Sequence, residues 1–503
     1  MFRFVSGCLV LFGCSRLPAD EGSFPDGFRF GASTSAFQVE DGCPSVAPSD
    51  CADPNSDWYA FAASPLMTSD PLTHLSGDRL SDGPGHWELF DSDFARARSL
   101  HLSAFRLSID WSRIFPVATD DAVTFEQLHA IANLRSVEHY HAVFRSLRAH
   151  GLEPFVTLNH QTLPLWIHDS VGCHRDIDHC SNRGWLDRER IVREIAKYAG
   201  FVAQEYGGEV DTWATLNEPL ATSLPGYLFP SPDRSNPPAV MLRYADVKTS
   251  IVAQLEAHAR MYDAIKLADL VDADGDGNPS DVGLVYAANP VAPKNPNDPS
   301  DVRAAEHVFY LWNSAFLNGV IRGDVDAKLD GNVVHRSDLE HRIDFIGLNY
   351  YTRPVIEGRA TAQLPELSPM TDFNLLSIGT MEEYPRGIYE VAMLARNYGI
   401  PAVISENGAP NAADPGAPRY LVNHLRWLAR AIRDGAPIRG YYYWSLIDNL
   451  EWNHGFGIRM GLYSVDNRDV YKKRAMREVG ATYARIAAAG VVPSDLLEAY
   501  PEQ

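Results

Sequence analysis

Val210-Asp211-Thr212-Trp213-Ala214-Thr215-Leu216-Asn217-Glu218-Pro219 is the stretch on which the fold turns. Its β-branched and aromatic residues suit a strand, and Pro219 cannot donate to a sheet ladder, so Asn217 and Glu218 fall at the strand's C-terminal mouth. Pro401-Ala402-Val403-Ile404-Ser405-Glu406-Asn407-Gly408 repeats the design: a β-branched run closes on a glutamate and then on turn residues. Outward from these two, strands are expected near 28–38, 103–109, 153–158, 211–216, 282–287, 343–349, 402–405 and 439–444. Helices are expected between and after them, near 87–100, 136–150, 187–206, 248–269, 301–321, 386–398, 419–433 and 471–488. Such alternation implies a parallel sheet of the α/β class. A count of eight, with carboxylates at strand ends, implies a closed (β/α)8 TIM barrel rather than a doubly wound sheet.

A chain of 503 residues has room for three domains at about 150 residues each. No Pro/Ser-rich linker divides it, and barrels run long, so a single domain with loop insertions is expected. Hydrophobic residues at 45% and charged residues at 22% describe a globular chain with ample core. A net charge of −21 argues against nucleic acid or an anionic membrane surface as partner, because phosphate binding needs a basic patch. A neutral ligand fits better.

Residues 1–14 read as an export signal: Met1-Phe2-Arg3 precedes an apolar run from Phe4 to Phe12 that is too short to span a bilayer. Leu11-Phe12-Gly13-Cys14-Ser15 resembles a lipobox, so Cys14 is an expected acylation site, and the protein is expected to be exported and held at a membrane by lipid. Ordinary cleavage at a later site is the alternative. With Cys8 and Cys14 in the leader, Cys43, Cys51, Cys173 and Cys180 remain and can pair three ways. The short-loop pairing, Cys43 with Cys51 and Cys173 with Cys180, is the one expected of an exported protein, each loop contributing about 2–3 kcal/mol. A zinc site of Cys173, His174, His179 and Cys180 is the rival, without the usual C-x-x-C spacing.

Alone, Glu218 or Glu406 would be an ordinary solvated loop carboxylate. Two strand-end glutamates facing one pocket are what glycoside hydrolysis requires, one to protonate the leaving oxygen and one to attack or to activate water. Further motifs stand in order along the chain: the opening stretch from Phe30 to Glu40; Phe105-Arg106-Leu107-Ser108-Ile109-Asp110-Trp111-Ser112-Arg113-Ile114-Phe115-Pro116; Thr157-Leu158-Asn159-His160; Asn349-Tyr350-Tyr351; and Trp444-Ser445-Leu446-Ile447-Asp448-Asn449-Leu450-Glu451-Trp452. With the two glutamate motifs, these resemble glycoside hydrolase family 1, the β-glucosidase family, over residues 24–489.

The resemblance implies a barrel that removes a terminal β-linked sugar with retention of configuration and without a cofactor. Glu218 matches the family's general acid/base and Glu406 its nucleophile, with Arg106 and Tyr351 matching the groups that keep the nucleophile ionised. Repulsion from Glu406 is expected to raise the pKa of Glu218. Asn217 matches the contact to the 2-hydroxyl. Gln38, His160, Glu451 and Trp452 match the ring around the other hydroxyls, and Trp444 the platform under the sugar. Gln161 and Thr162 stand where the family usually has an aromatic and Asp; Met460 and His454 also depart, at walls that set sugar and leaving-group preference. Glu451 would repel a phosphate and Ile458 offers no cation, so an unphosphorylated sugar is expected. A transglycosidase, or a barrel that binds sugars without cleaving them, are the alternatives.

Asp272-Ala273-Asp274-Gly275-Asp276-Gly277 matches the first half of a calcium loop, but its twelfth position is Gly283 rather than a bidentate Glu. A structural calcium held by Asp272, Asp274 and Asp276 and a solvated acidic turn are both open readings. Either would lie on the face opposite the strand C-termini.

Overall fold

Eight parallel strands, β1 (Arg29–Ser33), β2 (Ala104–Ser108), β3 (Glu153–Asn159), β4 (Thr212–Asn217), β5 (Asp281–Ala287), β6 (Phe345–Asn349), β7 (Ala402–Asn407) and β8 (Ile438–Trp444), close into a barrel. Each pairs with its sequence neighbour, and β1 returns to β8 with Phe30 opposite Tyr441 and Ser33 opposite Trp444. The structure, a computed structural model, describes residues 22–379 and 381–502. The segment expected to be a leader, with Cys14, lies outside the described residues.

Strand side chains alternate between two environments. Phe105, Leu107, Val156, Leu158, Trp213 and Leu216 face outward into the main core beneath the helices. Ala104, Phe155, Ala214, Val285, Phe345, Val403 and Tyr442 face inward and fill the barrel as a second apolar cluster. The rings of Phe345 and Tyr442 meet that of Phe155 edge-on at 5.5 and 5.6 Å. Tyr442 has room because its neighbour on β1 is glycine: a Cβ on Gly31 would lie 2.5 Å from the Tyr442 ring. Two residues further along β2 the same inward direction delivers Arg106, so a period of two alone sets the buried cation above the aromatic floor.

The outer layer consists of His86–Ser99, Leu134–Ala149, Arg188–Tyr206, Tyr244–Ala268, Pro299–Phe309 continuing through a π-helical turn (Tyr310–Ser314) into Ala315–Arg322, Gly387–Tyr398, Ala417–Arg433 and Glu478–Ala489. Two boundaries differ from the sequence reading. The helix expected from near 471 begins at Glu478, because Arg474–Met476 pairs antiparallel with Tyr463–Val465. The first strand stops at Ser33, and Gln38 sits in a short helical turn, Ala36–Val39. Disulfides join Cys43 to Cys51 and Cys173 to Cys180, so the thiolates a zinc site would need are consumed.

The seam between β1 and β8 is tied by Tyr483 of the helix Glu478–Ala489, whose hydroxyl donates to Gly31 O at 2.8 Å with Tyr441 O at 3.2 Å. Tyr483→Phe keeps the ring but strands buried carbonyls, and stability is expected to fall by about 1–3 kcal/mol, read from the denaturant midpoint at unchanged m-value. An unaltered midpoint would show that the seam does not depend on this hydroxyl.

Candidate active site

Arg106 is fully buried. A guanidinium taken out of water must find its hydrogen bonds inside the protein, and here each nitrogen does so on a different strand. Nε donates to Thr157 Oγ1 of β3 at 3.0 Å, Nη2 to Asn217 Oδ1 of β4 at 2.8 Å, and Nη1 to Glu406 Oε1 of β7 at 2.5 Å. The second oxygen of Glu406 accepts from Tyr351 Oη at 2.9 Å. Burial pushes the Glu406 carboxyl up to about 7, against the pull of Arg106 and with a further push from Glu218. Desolvation therefore raises the group that sequence reasoning expected its two donors to hold low.

Glu218 follows directly on β4, in a left-handed conformation at φ 52°, ψ 62°, with Pro219 opening the next helix. A glutamate holds such a backbone only where its surroundings fix it. Its N–H donates to Val285 O at 3.0 Å, and its Oε1 accepts from Asn349 Nδ2 at 2.8 Å. Asn349 also reaches Asn217 Oδ1 at 3.2 Å and accepts from Ser405 Oγ at 2.7 Å. One side chain thus links the two glutamate-bearing strands. Thr157, Asn349 and Ser405 were not singled out from sequence, although all three lie inside motifs that were.

The expected sugar-binding residues gather beside this pair. His160 is stacked with Trp444 at 5.7 Å and with Trp452 at 6.1 Å, both within 17° of parallel. Its Nε2 accepts from Asn217 Nδ2 at 3.3 Å, and burial, with Arg106 and Arg234 nearby, holds its pKa well below the ordinary histidine value. Gln38 is anchored at both ends of its amide, accepting from Ser35 Oγ at 2.7 Å and donating to Leu450 O at 2.9 Å. Burial raises Glu451 to about 7, opposed by Arg234 and reinforced by Glu406 and Glu218.

The acidic loop is elsewhere, at the N-terminal ends of the strands. The carboxylates whose oxygens come within 4.8 Å of one another are Asp211, Asp272 and Asp274, so Asp276 is not in the group and Asp211, just before β4, takes its place. This grouping differs from the expected trio of Asp272, Asp274 and Asp276; Asp276 Oδ1 accepts from Asn278 N at 2.8 Å. Asp274 also lies 3.8 Å from Arg29.

Comparison with known proteins finds relatives over nearly the whole chain. The model of Glycosyl hydrolase family 1 matches residues 20–490. A β-galactosidase of Pyrococcus woesei is 34% identical over 502 residues, covering 92% of this chain and 96% of that protein. β-Glucosidase A of Thermotoga maritima is 28% identical, covering 92% and 97%. The crystal structure of the β-glycosidase from Thermosphaera aggregans superposes with a TM-score of 0.82 at 30% identity, covering 96% of this chain and all of that one.

Proposed function

The chain belongs to glycosyl hydrolase family 1, and on that premise we propose that it is a retaining, exo-acting β-glycosidase with Glu406 as nucleophile and Glu218 as acid and base. The observation that carries the reading is the pair of strand-end glutamates, one gripped by Arg106 and Tyr351, the other held by Asn349.

Ionised Glu406 attacks the anomeric carbon as the bond to the leaving oxygen breaks, and Glu218 passes its proton to that oxygen. A glycosyl ester on Glu406 results. Esterification removes the charge that faced Glu218, which then takes a proton from water as that water attacks the same carbon and frees Glu406. Arg106 and Tyr351 stabilise the departing carboxylate in this second step. Asn217, whose carbonyl is engaged by Arg106 and Asn349, offers its amide nitrogen toward the 2-hydroxyl, where charge develops in the transition state. The stacked wall of Trp444, His160 and Trp452, flanked by Gln38 and Glu451, suits the apolar face and polar edge of one terminal sugar.

Glu406→Ala is expected to lower kcat on an aryl β-glycoside by at least about 10⁴-fold, with azide restoring turnover to the inverted glycosyl azide. Retained activity without azide would remove Glu406 from the nucleophile's role. In Glu218→Ala, glycosides of poor alkyl leaving groups should lose about 10²- to 10⁴-fold in kcat/KM while dinitrophenyl glycosides lose far less. Equal losses would mean Glu218 is not the proton donor. Tyr351→Phe deletes a hydrogen bond that favours ionised Glu406, so the nucleophile's pKa rises and the acid limb of kcat/KM moves to higher pH. A limb unmoved, or displaced downward, contradicts Tyr351's part.

A further inference from the structure

Arg234 enters the site from the irregular segment after the helix Pro219–Tyr227. That segment is bolted to the turn that bears Glu451 and Trp452: Asn453 Nδ2 donates to Ser235 Oγ at 2.8 Å, and Ser235 N donates to Asn453 Oδ1 at 3.0 Å. Held there, the guanidinium lies over the Trp452 ring, 5.0 Å from its centroid, and Nη2 donates to Gln161 Oε1 at 2.7 Å. Gln161 is buried and follows His160 directly, so Arg234 extends the row of stacked groups that runs Trp444, His160, Trp452.

Arg106 spends its donors on a carboxylate and two other strands, whereas the only acceptor Arg234 finds among the described residues is a neutral amide. The charges that bear on Arg234 are those of Glu218, Glu451 and Glu406, yet none of the three lies within ion-pair distance of it. Among the described residues nothing accepts from Nε or Nη1, and neither atom is sealed from solvent. A hydroxyl can accept from a guanidinium and donate to a carboxylate at once, and a sugar ring offers such groups on adjacent carbons.

We propose that Arg234, aimed by Gln161 and seated on Trp452, is a specificity-determining contact for the terminal sugar. Its free N–H groups donate to hydroxyl oxygens of a neutral hexopyranosyl unit whose protons go to Glu451. This rests on the glycosidase reading above and deepens it by naming what grips the sugar beside His160.

The test uses aryl β-glycosides of the parent sugar and of its 3-, 4- and 6-deoxy forms, with the wild type and Arg234→Met, Arg234→Lys and Gln161→Ala. Methionine keeps an apolar body on Trp452 and deletes the donors, so kcat/KM on the parent is expected to fall about ten- to a hundredfold. The deletion of one hydroxyl, costly to the wild type, should then cost Arg234→Met almost nothing. Lysine should recover part of the loss, and Gln161→Ala should show a partial form of the methionine phenotype. Thermal midpoints close to that of the wild type keep misfolding apart from lost contact, and Gln161→Ala stands in if Arg234→Met does not fold. Deoxy penalties identical in wild type and variants would overturn the inference while leaving the glycosidase intact. Wild type that hydrolyses none of the glycosides would instead sink the functional reading itself.

Discussion

The charge of Arg106, buried at the centre of a barrel, is the constraint from which the rest of the site follows. Phe155 lies beneath it, its ring centroid 5.7 Å from the guanidinium carbon, so the cation faces an aromatic ring on that side. An unpaired guanidinium there would cost several kcal/mol, which makes the carboxylate of Glu406 a structural requirement as much as a chemical one. Because the three nitrogens bind β3, β4 and β7 from a residue on β2, the same group that balances Glu406 also fixes the relative height of four strands. Rigidity and reactivity are here a single arrangement. Asn349 repeats the principle in neutral form, joining Glu218 and Asn217 to Ser405.

What the sequence disclosed follows from how local each signal is. The strand ends after Asn217 and around Glu406 were readable because a proline and turn residues punctuate β-branched runs, a relation of adjacent residues. Arg106 and Tyr351 came from motif resemblance, and in the folded chain both donate to Glu406. The helix set near 471 began late because Arg474–Met476 finds a strand partner nine to thirteen residues away, which helical periodicity does not register. Asp276 looked equivalent to Asp272 and Asp274 in the loop, and only the folded chain shows that Asp211, from before β4, closes the acidic group instead.

Arg234 is the clearest case of what could not be read. It sits in a segment with no regular structure, and its position depends on Asn453, more than two hundred residues later. The departures at Gln161 and Thr162 were visible, but their meaning required knowing what stands against Gln161. The pKa of Glu406 illustrates the same limit in energy rather than in place. Its donors were named from sequence, whereas the desolvation that outweighs them depends on how completely the barrel closes around the carboxyl.

The seam tied by Tyr483 also bears on how the chain is made. The Tyr483 hydroxyl bonds a carbonyl 452 residues earlier, and β1 has β8 as one of its two neighbours. During synthesis β1 emerges first and must wait for nearly the whole polypeptide before that edge is covered. An uncovered parallel edge is a template for pairing with another chain. The hazard is smallest for a short strand, and β1, with five residues against seven in β8, offers the partner-seeking edge as little length as the barrel allows.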